Sequence, residues 1–253
     1  MKPVAIVTGA GAGIGQATAR LLHDRNYAVV AADVSPEALS WATDVPDCQT
    51  VVADASKEDD NAAVVEAAAK GFGRLDVAVL NAGIARRVDW TADDAVEHYD
   101  RIMAVNARGV VLGIRYAAPV IATHGGGSIV VVGSTSGIRA DPDRWAYNAS
   151  KAAAINLARA AALDWAHRGV RVNVLAPGPT LTPILQRGKA TSDHLDELSR
   201  SIPLHRLARP EEQAEAICFL ASPAASYITG AVLMCDGGIT ANVGIFPPPA
   251  ASD

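Results

Sequence analysis

The sequence contains only three cysteines, Cys48, Cys218 and Cys235, which are widely spaced and form no C-x-x-C pair. This scarcity argues against a disulfide framework and predicts free thiols, packed as small hydrophobic side chains in the reducing cytoplasm. The six histidines are scattered without ligand spacing such as H-E-x-x-H. We therefore expect no metal site.

Long uninterrupted apolar segments are also missing, because charged residues such as Arg115, Arg159 and Asp164 interrupt the longest ones. We therefore predict no membrane-spanning helix. The apolar run after Lys2 is only a few residues long and enters a Gly-rich turn, which is not typical of a secretory signal. The net charge is −5 and no block of Lys and Arg stands out, so neither a nucleic acid nor an anionic membrane is an expected partner.

The chain does contain enough apolar residues for a large core, since 50% of its 253 residues are hydrophobic. Seven short apolar segments alternate with segments of helical character. The first helix is expected over residues 16–24, and a capping-box-like motif at residues 91–94 predicts the start of the helix that carries Asn106. The predicted strands cover residues 4–7, 27–32, 49–54, 75–80, 129–132, 170–175 and 231–234. This alternation predicts an α/β protein with a three-layer doubly wound Rossmann fold, a parallel sheet with helices on both faces. The first six strands should follow the order 3-2-1-4-5-6.

A tyrosine and a lysine lie four residues apart, at Tyr147 and Lys151, in the Ala-rich segment 147–166, which has no Gly or Pro. That composition favours a helix, and residues four apart share a helix face. A cation close to a phenol lowers the pKa of the phenol, which then becomes a usable acid or base near neutral pH. Taken alone, the short pattern is equally consistent with an accidental pair on a helix surface.

Two further features suggest a site at the carboxyl ends of the strands. Residues 8–15 form a Gly-rich turn between a strand and a helix, where a diphosphate can approach backbone N–H groups at a helix N-terminus. A tight structural turn is the alternative. Asp33 ends the second strand, 18 residues after Gly15, where a carboxylate can bind the ribose hydroxyls of adenosine. Ala12 and the residues just after Asp33 are not basic, so we predict NAD rather than NADP; a strand-end cap is the alternative for Asp33.

These features resemble the short-chain dehydrogenase/reductase family, in its compact single-domain branch. The matching residues are Thr-Gly-x-x-x-Gly-x-Gly at 8–15, Asn-Ala-Gly at 81–83, Asn106, Ser134, Tyr-x-x-x-Lys at 147–151 and Pro-Gly-Pro-Thr at 177–180. They occur in the family's order and span most of the chain. The resemblance also implies that the seventh strand lies beside the sixth.

The resemblance implies a catalytic set of Asn106, Ser134, Tyr147 and Lys151. Tyr147 would exchange a proton with the substrate, and Ser134 would donate a hydrogen bond to the same substrate oxygen. Ser134 is preferred to the two hydroxyl residues after it because its offset from Tyr147 matches the family. Lys151 would lower the pKa of Tyr147 and bind the nicotinamide ribose. Asn106 would hold a relay water, although a structural role in its helix is the alternative.

The resemblance further implies how the cofactor is held. Asp54 would bind the adenine amino group with help from the backbone of Ala55, and Asn81 would also brace the sheet. The expected cofactor-binding residues are Gly9, Gly11, Gly13, Ile14, Gly15, Asp33, Asp54, Ala55, Asn81, Ala82, Gly83, Tyr147, Lys151, Pro177, Gly178, Thr180 and Thr182.

The expected activity is therefore reversible oxidation of a secondary alcohol to a ketone with NAD. A redox-neutral epimerase or dehydratase that uses NAD and a non-catalytic NAD-binding protein are the alternatives. We expect one domain over residues 1–253, with a substrate lid at about 181–204 and an irregular tail from about 243. The family implies a homotetramer, with the helix from Tyr147 at the interface.

The substrate stays open, with an aliphatic alcohol, a steroid, a sugar or polyol and a hydroxyacyl thioester as candidates. The roles of Arg86, Arg87, Arg139 and Trp145 also stay open at this stage.

Overall fold

The computed structural model describes residues 2–186 and 192–242. Seven parallel strands form one sheet in the order β3-β2-β1-β4-β5-β6-β7, which confirms the predicted architecture and strand order. The strands are β1 (Val4–Thr8), β2 (Ala28–Asp33), β3 (Cys48–Val52), β4 (Val77–Leu80), β5 (Gly127–Val132), β6 (Val170–Pro177) and β7 (Val232–Cys235).

Helices cover both faces of this sheet. They are α1 (Gly13–Asp24), α2 (Glu58–Phe72), α3 (Ala95–Met103), α4 (Gly109–Thr123), α5 (Trp145–Trp165), α6 (Pro183–Gln186), α7 (Ser192–Ser201) and α8 (Pro210–Ala221). In the part of the chain that the structure describes, none of these helices is long and apolar enough to cross a bilayer.

The sheet divides the core into two layers. Its central strand β1, all of whose residues are buried, contributes side chains to both layers. Val4 and Ile6 pack with side chains of α2, α4 and α5 on one face. Ala5 and Val7 pack with side chains of α1 and α8 on the other face. Successive side chains of a strand point to opposite faces, so a strand buried on both faces reads as a continuous apolar run.

The helix predicted to begin with a capping motif at residues 91–94 starts later, at Ala95. Asp94 makes no side-chain cap, and the backbone N–H and hydroxyl of Thr91 instead donate to Asp89 Oδ1, at 2.7 and 2.6 Å. This prediction was wrong because a local turn around Asp89 satisfies Thr91 before the helix begins. Asn106 also lies outside regular α-helix, in a π-helical segment (Ala104–Arg108) that joins α3 to α4.

Helix α1 begins at Gly13, three residues before the predicted start at Gln16, so Gly15 belongs to its first turn. A Cβ atom at Gly15 would lie 2.1 Å from the carbonyl oxygen of Gly9, which explains why glycine is needed there. The predicted lid at 181–204 contains α6 and α7, and its residues 187–191 lie outside the described residues. The predicted tail from 243 also lies outside them.

Candidate active site

A cleft runs along the carboxyl ends of the strands and consists of two adjoining cavities. The cavity beside the Gly-rich turn, here called the Gly-loop cavity, has a volume of about 560 Å³. The cavity beside Tyr147, here called the Tyr147 cavity, has a volume of about 410 Å³. Both are lined by Ile14, Asn81, Gly83, Thr182 and Ile184. The shared lining makes the two cavities one continuous site.

The carboxylate of Asp33 is fixed at the Gly-loop cavity by two backbone donors. Gly11 N–H donates to Asp33 Oδ2 at 2.9 Å, and Ser35 N–H donates to Asp33 Oδ1 at 3.0 Å. A Cβ atom at Gly11 would lie 2.8 Å from the same Oδ2, so the turn reaches the carboxylate only with glycine at this position. The structure thus places an oriented negative charge beside the Gly-rich turn.

Asp54 and Ala55 line the same cavity, after the end of β3. Asp54 Oδ1 accepts hydrogen bonds from the backbone N–H and the hydroxyl of Ser56, at 2.9 and 2.8 Å. These bonds fix the orientation of the Asp54 carboxyl group. Lys57 and Arg101 also line the Gly-loop cavity, and the sequence had not indicated either of them.

Asn81 and Thr8 tie the end of β4 to the end of β1. Asn81 Nδ2 donates to the carbonyl oxygens of Thr8 and Gly9, at 2.9 and 3.1 Å. In return, the backbone N–H groups of Asn81 and Ala82 donate to Thr8 Oγ1, at 3.0 and 3.1 Å. The side chain of Asn81 therefore braces the two strands, and the sequence had not singled out the reciprocal role of Thr8.

Two of the four predicted catalytic residues, Tyr147 and Lys151, line the Tyr147 cavity, and a third, Ser134, lies beside the phenol of Tyr147. Helix α5 presents Tyr147 and Lys151 on one face, with Lys151 Nζ 5.8 Å from the centre of the tyrosine ring. Ser134 follows β5, and its hydroxyl interacts with the phenol of Tyr147 and lowers the pKa of that phenol. Its Oγ also accepts from Ser136 N–H at 3.1 Å, while the hydroxyl of Ser136 donates to Asp141 at 2.6 Å. Of these two serines, Ser134 is therefore the one that contacts the phenol.

Burial dominates the proton affinities of this group. Burial raises the pKa of Tyr147 above its usual value, while the Ser134 hydrogen bond and the nearby Arg144 charge lower the pKa. Lys151 is 4% exposed, and burial lowers the pKa of its ammonium to about 8. The pKa of Tyr147 is thus raised overall, whereas the spacing predicted a lowered value. The Nζ of Lys151 donates to the carbonyl oxygen of Val132 at 2.8 Å.

The fourth residue, Asn106, is 1% exposed and joins two parts of the site. Its Oδ1 accepts from Ile84 N–H at 2.8 Å, and its Nδ2 donates to the Ile84 carbonyl and to Ser150 Oγ, at 2.9 and 3.0 Å. A Cβ atom at Gly83 would lie 3.3 Å from both Asn106 Oδ1 and Lys151 Nζ. Asn106 and Lys151 therefore approach each other at Gly83, where a Cβ atom would contact both side chains tightly.

A residue that the sequence did not indicate, Gln213, supports the segment after β6. Pro177, Gly178, Thr180 and Thr182, which were predicted to bind the cofactor, line the Tyr147 cavity. Gln213 on α8 is fully buried, and its Nε2 donates to Thr180 Oγ1 and to the Cys235 carbonyl, at 3.2 and 2.9 Å. No local motif marks a glutamine that acts across more than thirty residues, so the sequence offered no signal for it.

The structure also assigns contacts to the residues whose roles were open. Trp145 Nε1 donates to the Val88 carbonyl at 3.0 Å, and its ring stacks on Trp90. Arg139 donates to the Asn242 carbonyl. Across residues 2–186 and 192–242, no group of three or more His, Cys, Asp or Glu side chains could hold a metal ion.

Comparisons with known proteins agree with this geometry. Residues 9–240 match a family model described as enoyl-(acyl carrier protein) reductase. The chain is 43% identical to cis-4-hydroxycyclohexanecarboxylate dehydrogenase of Sinomonas cyclohexanicum, over 94% of this chain and 96% of that one. It is 36% identical to 2-(R)-hydroxypropyl-CoM dehydrogenase of Xanthobacter autotrophicus, over 95% and 100% of the two chains.

A solved structure shows the same similarity in three dimensions. It is 3-ketoacyl-(acyl-carrier-protein) reductase from Brucella melitensis in complex with NADH, with a TM-score of 0.88 and 36% identity. The match covers 94% of this chain and 98% of that chain.

Proposed function

Because this chain belongs to the short-chain dehydrogenase/reductase family, we propose that it is an NAD-dependent oxidoreductase with Tyr147 as its general acid and base. The relatives named as dehydrogenases of hydroxy compounds support interconversion of a secondary alcohol and a ketone. The observation that carries the proposal is that Tyr147 and Lys151 line a cavity continuous with the Gly-loop cavity, with Ser134 beside the Tyr147 phenol.

The residues around the cleft fit a nicotinamide dinucleotide. The Gly-rich turn lines the cavity with backbone that carries no bulky side chains, and the free N–H groups at the N-terminus of α1 lie beside it. Both features suit a diphosphate. Asp33, Asp54 and Ala55 would hold the adenosine half, and Asn81–Gly83 with Pro177, Gly178, Thr180 and Thr182 would hold the nicotinamide half. When bound, NAD would supply the hydride acceptor that the side chains themselves lack.

The side chains of the chain supply the proton chemistry. In the direction of oxidation, the Tyr147 phenolate accepts the proton of the substrate hydroxyl, and in reduction the phenol returns it. Ser134 donates a hydrogen bond to the same substrate oxygen and stabilises the charge that develops on it. The ammonium of Lys151 would bind the nicotinamide ribose, and Asn106, which faces it across Gly83, would position a water for proton exchange.

The preference for NAD over NADP rests on Asp33. Its carboxylate is held by Gly11 and Ser35 at the Gly-loop cavity, where it can accept hydrogen bonds from both ribose hydroxyls. The same fixed charge would repel a 2′-phosphate at this place. Lys57 and Arg101 also line this cavity, and their positive charges oppose the effect of Asp33 on a 2′-phosphate. The relative affinity for NADH and NADPH is therefore the decisive measurement.

The Tyr147 cavity suits a small secondary alcohol. Ile184 and Leu185 of α6 and Leu198 of α7 line it, which supports the assignment of about 181–204 as a substrate lid within one domain spanning residues 1–253.

We also propose a cytoplasmic homotetramer, as the family resemblance implies. Leu163 on α5 is 82% exposed and would be covered at such an interface.

The test is a fluorescence titration of the protein with NADH and NADPH, followed by an NAD-coupled screen of secondary alcohols. We expect tighter binding of NADH, loss of that preference in Asp33→Ala, and a ketone product formed together with NADH. Tighter binding of NADPH by the unmodified protein would contradict the assignment of Asp33. Turnover without net formation of NADH would contradict the proposed reaction.

A further inference from the structure

Among the residues that the structure describes, four charged side chains line the Tyr147 cavity besides Lys151. They are Arg87, Asp141, Asp143 and Arg144. The proton chemistry proposed above assigns none of them a function. What they do depends on which of these charges are already neutralised within the protein.

Arg144 is the charged group of this set that most influences the reacting phenol. It lies at the N-cap of α5, three residues before Tyr147, so the two side chains share one face of the helix start. The Arg144 charge lowers the pKa of Tyr147 more strongly than Asp141 raises it. Arg144 is only partly exposed, and within residues 2–186 and 192–242 no carboxylate lies within ion-pair distance of it.

Arg87 reaches the same cavity from the loop after β4. This loop is fixed to the segment before α5, since Val88 N–H donates to the Asp143 carbonyl at 3.1 Å and Trp145 Nε1 donates to the Val88 carbonyl at 3.0 Å. The rings of Trp90 and Trp145 stack 4.3 Å apart between the two segments. The backbones that carry Arg87 and Arg144 are therefore held together in a defined geometry.

The other charges near this end of the cleft have partners or face solvent. Arg86 lies 3.9 Å from Asp94 and does not line the cavity, although it is the immediate neighbour of Arg87. Asp141 accepts a hydrogen bond from Ser136 at 2.6 Å. Asp143 is exposed. Two guanidinium groups thus line the cavity without an ion-pair partner among the described residues.

We propose that Arg144 and Arg87 form an anion-binding subsite, and that the substrate is a secondary alcohol carrying a carboxylate or sulfonate at a distance from its hydroxyl. A guanidinium presents a planar fork of N–H donors that matches the oxygens of either acid. Anchoring that acid would direct the hydroxyl towards Tyr147 and Ser134. This inference rests on the proposed oxidation of alcohols and adds the class of alcohol.

The kinetic test compares a cyclic hydroxy carboxylate with its methyl ester, which has the same hydroxyl and no charge. For the unmodified protein, kcat/KM should favour the acid. Arg144→Gln should lower this acid-to-ester ratio about 10-fold or more, as expected for loss of a charged hydrogen bond. Arg87→Gln should lower the ratio in the same direction, and Asp143→Asn should raise it. The ratio cancels any effect of Arg144 on the Tyr147 proton that both substrates share.

Arg86→Gln is the matched control, because it removes the same charge one residue away and should leave the ratio unchanged. An equal preference for acid and ester in the unmodified protein would overturn the subsite. An equal decrease of the acid-to-ester ratio in Arg86→Gln and Arg87→Gln would also overturn the subsite.

A binding measurement separates this inference from the proposed reaction. Calorimetry in the presence of NADH would compare cyclohexanecarboxylate with cyclohexanecarboxamide, neither of which has a hydroxyl to oxidise. Preferential binding of the acid, lost in Arg144→Gln, would support the subsite even if no alcohol is turned over, in which case the proposed reaction alone would fail. Equal binding of acid and amide would refute the subsite even if alcohols are oxidised.

Discussion

Replacement of Lys151 by methionine should make the protein more stable while it abolishes activity. Lys151 is 4% exposed, and its ammonium donates to the carbonyl oxygen of Val132. Burial lowers its pKa from 10.5 to about 8, so at neutral pH the folded protein holds a proton on a poorly solvated group. Methionine has a similar length and no charge, so it removes the free-energy cost of burying a charged ammonium.

The magnitude follows from the difference between the two pKa values. A lysine that titrates at about 8 when folded and 10.5 when unfolded costs about 3 kcal/mol of folding free energy below pH 8. Loss of the hydrogen bond to Val132 offsets about 1–2 kcal/mol of the gain. The net stabilisation of about 1–2 kcal/mol should raise Tm by about 2–8 °C for a chain of this size.

The pH dependence gives this prediction its specific test. In the unmodified protein the unfolded state binds more protons between pH 8 and 10.5, so stability from this group rises with pH over that window. The advantage of Lys151→Met should therefore be full below pH 8 and shrink towards pH 10.5. Thermal unfolding by circular dichroism at pH 7 and pH 10 would measure it.

The matched control is Lys70→Met, since Lys70 is exposed on α2 and pairs with Glu66. Its effect on Tm should be small. A lower Tm for Lys151→Met than for the unmodified protein at pH 7, or a gain that does not change with pH, would refute the reasoning.

Two further predictions concern the turn and the phenol. Gly15→Ala should greatly weaken NADH binding, measured by fluorescence titration, because the new Cβ would lie 2.1 Å from the Gly9 carbonyl oxygen; unchanged affinity would contradict the described turn. Since burial raises the pKa of Tyr147, kcat/KM for alcohol oxidation should rise with pH through the alkaline range, while ketone reduction should fall. The rise should move to higher pH in Arg144→Gln, because Arg144 lowers that pKa; a pH-independent oxidation rate would contradict the role of the phenol.

The strands themselves and the shared helix face of Tyr147 and Lys151 could be predicted from the residues because both depend on local patterns. Parallel strands buried on both faces appear as apolar runs, and a four-residue spacing on a helix fixes which side chains meet. Tyr147 and Lys151 therefore lie as their spacing predicts. The choice of Ser134 and the place of the seventh strand came from the family resemblance, and the structure places Ser134 after β5 and β7 beside β6.

Features that depend on contacts between distant segments could not be predicted. The start of α3 was wrong because the turn at Asp89 competes for Thr91, and that choice depends on the surrounding loop. Gln213 supports Thr180 only because α8 packs beneath the end of β6. The proton affinity of Lys151 was also unexpected, since burial is a property of the folded chain and not of the spacing from Tyr147.

The central claim is that Tyr147 exchanges the substrate proton during alcohol oxidation. The most direct measurement is kcat for an accepted secondary alcohol in Tyr147→Phe, with NADH binding measured on the same sample. We expect a loss of at least about 100-fold in kcat in a variant that still binds NADH. Turnover near that of the unmodified protein would contradict the assignment of Tyr147.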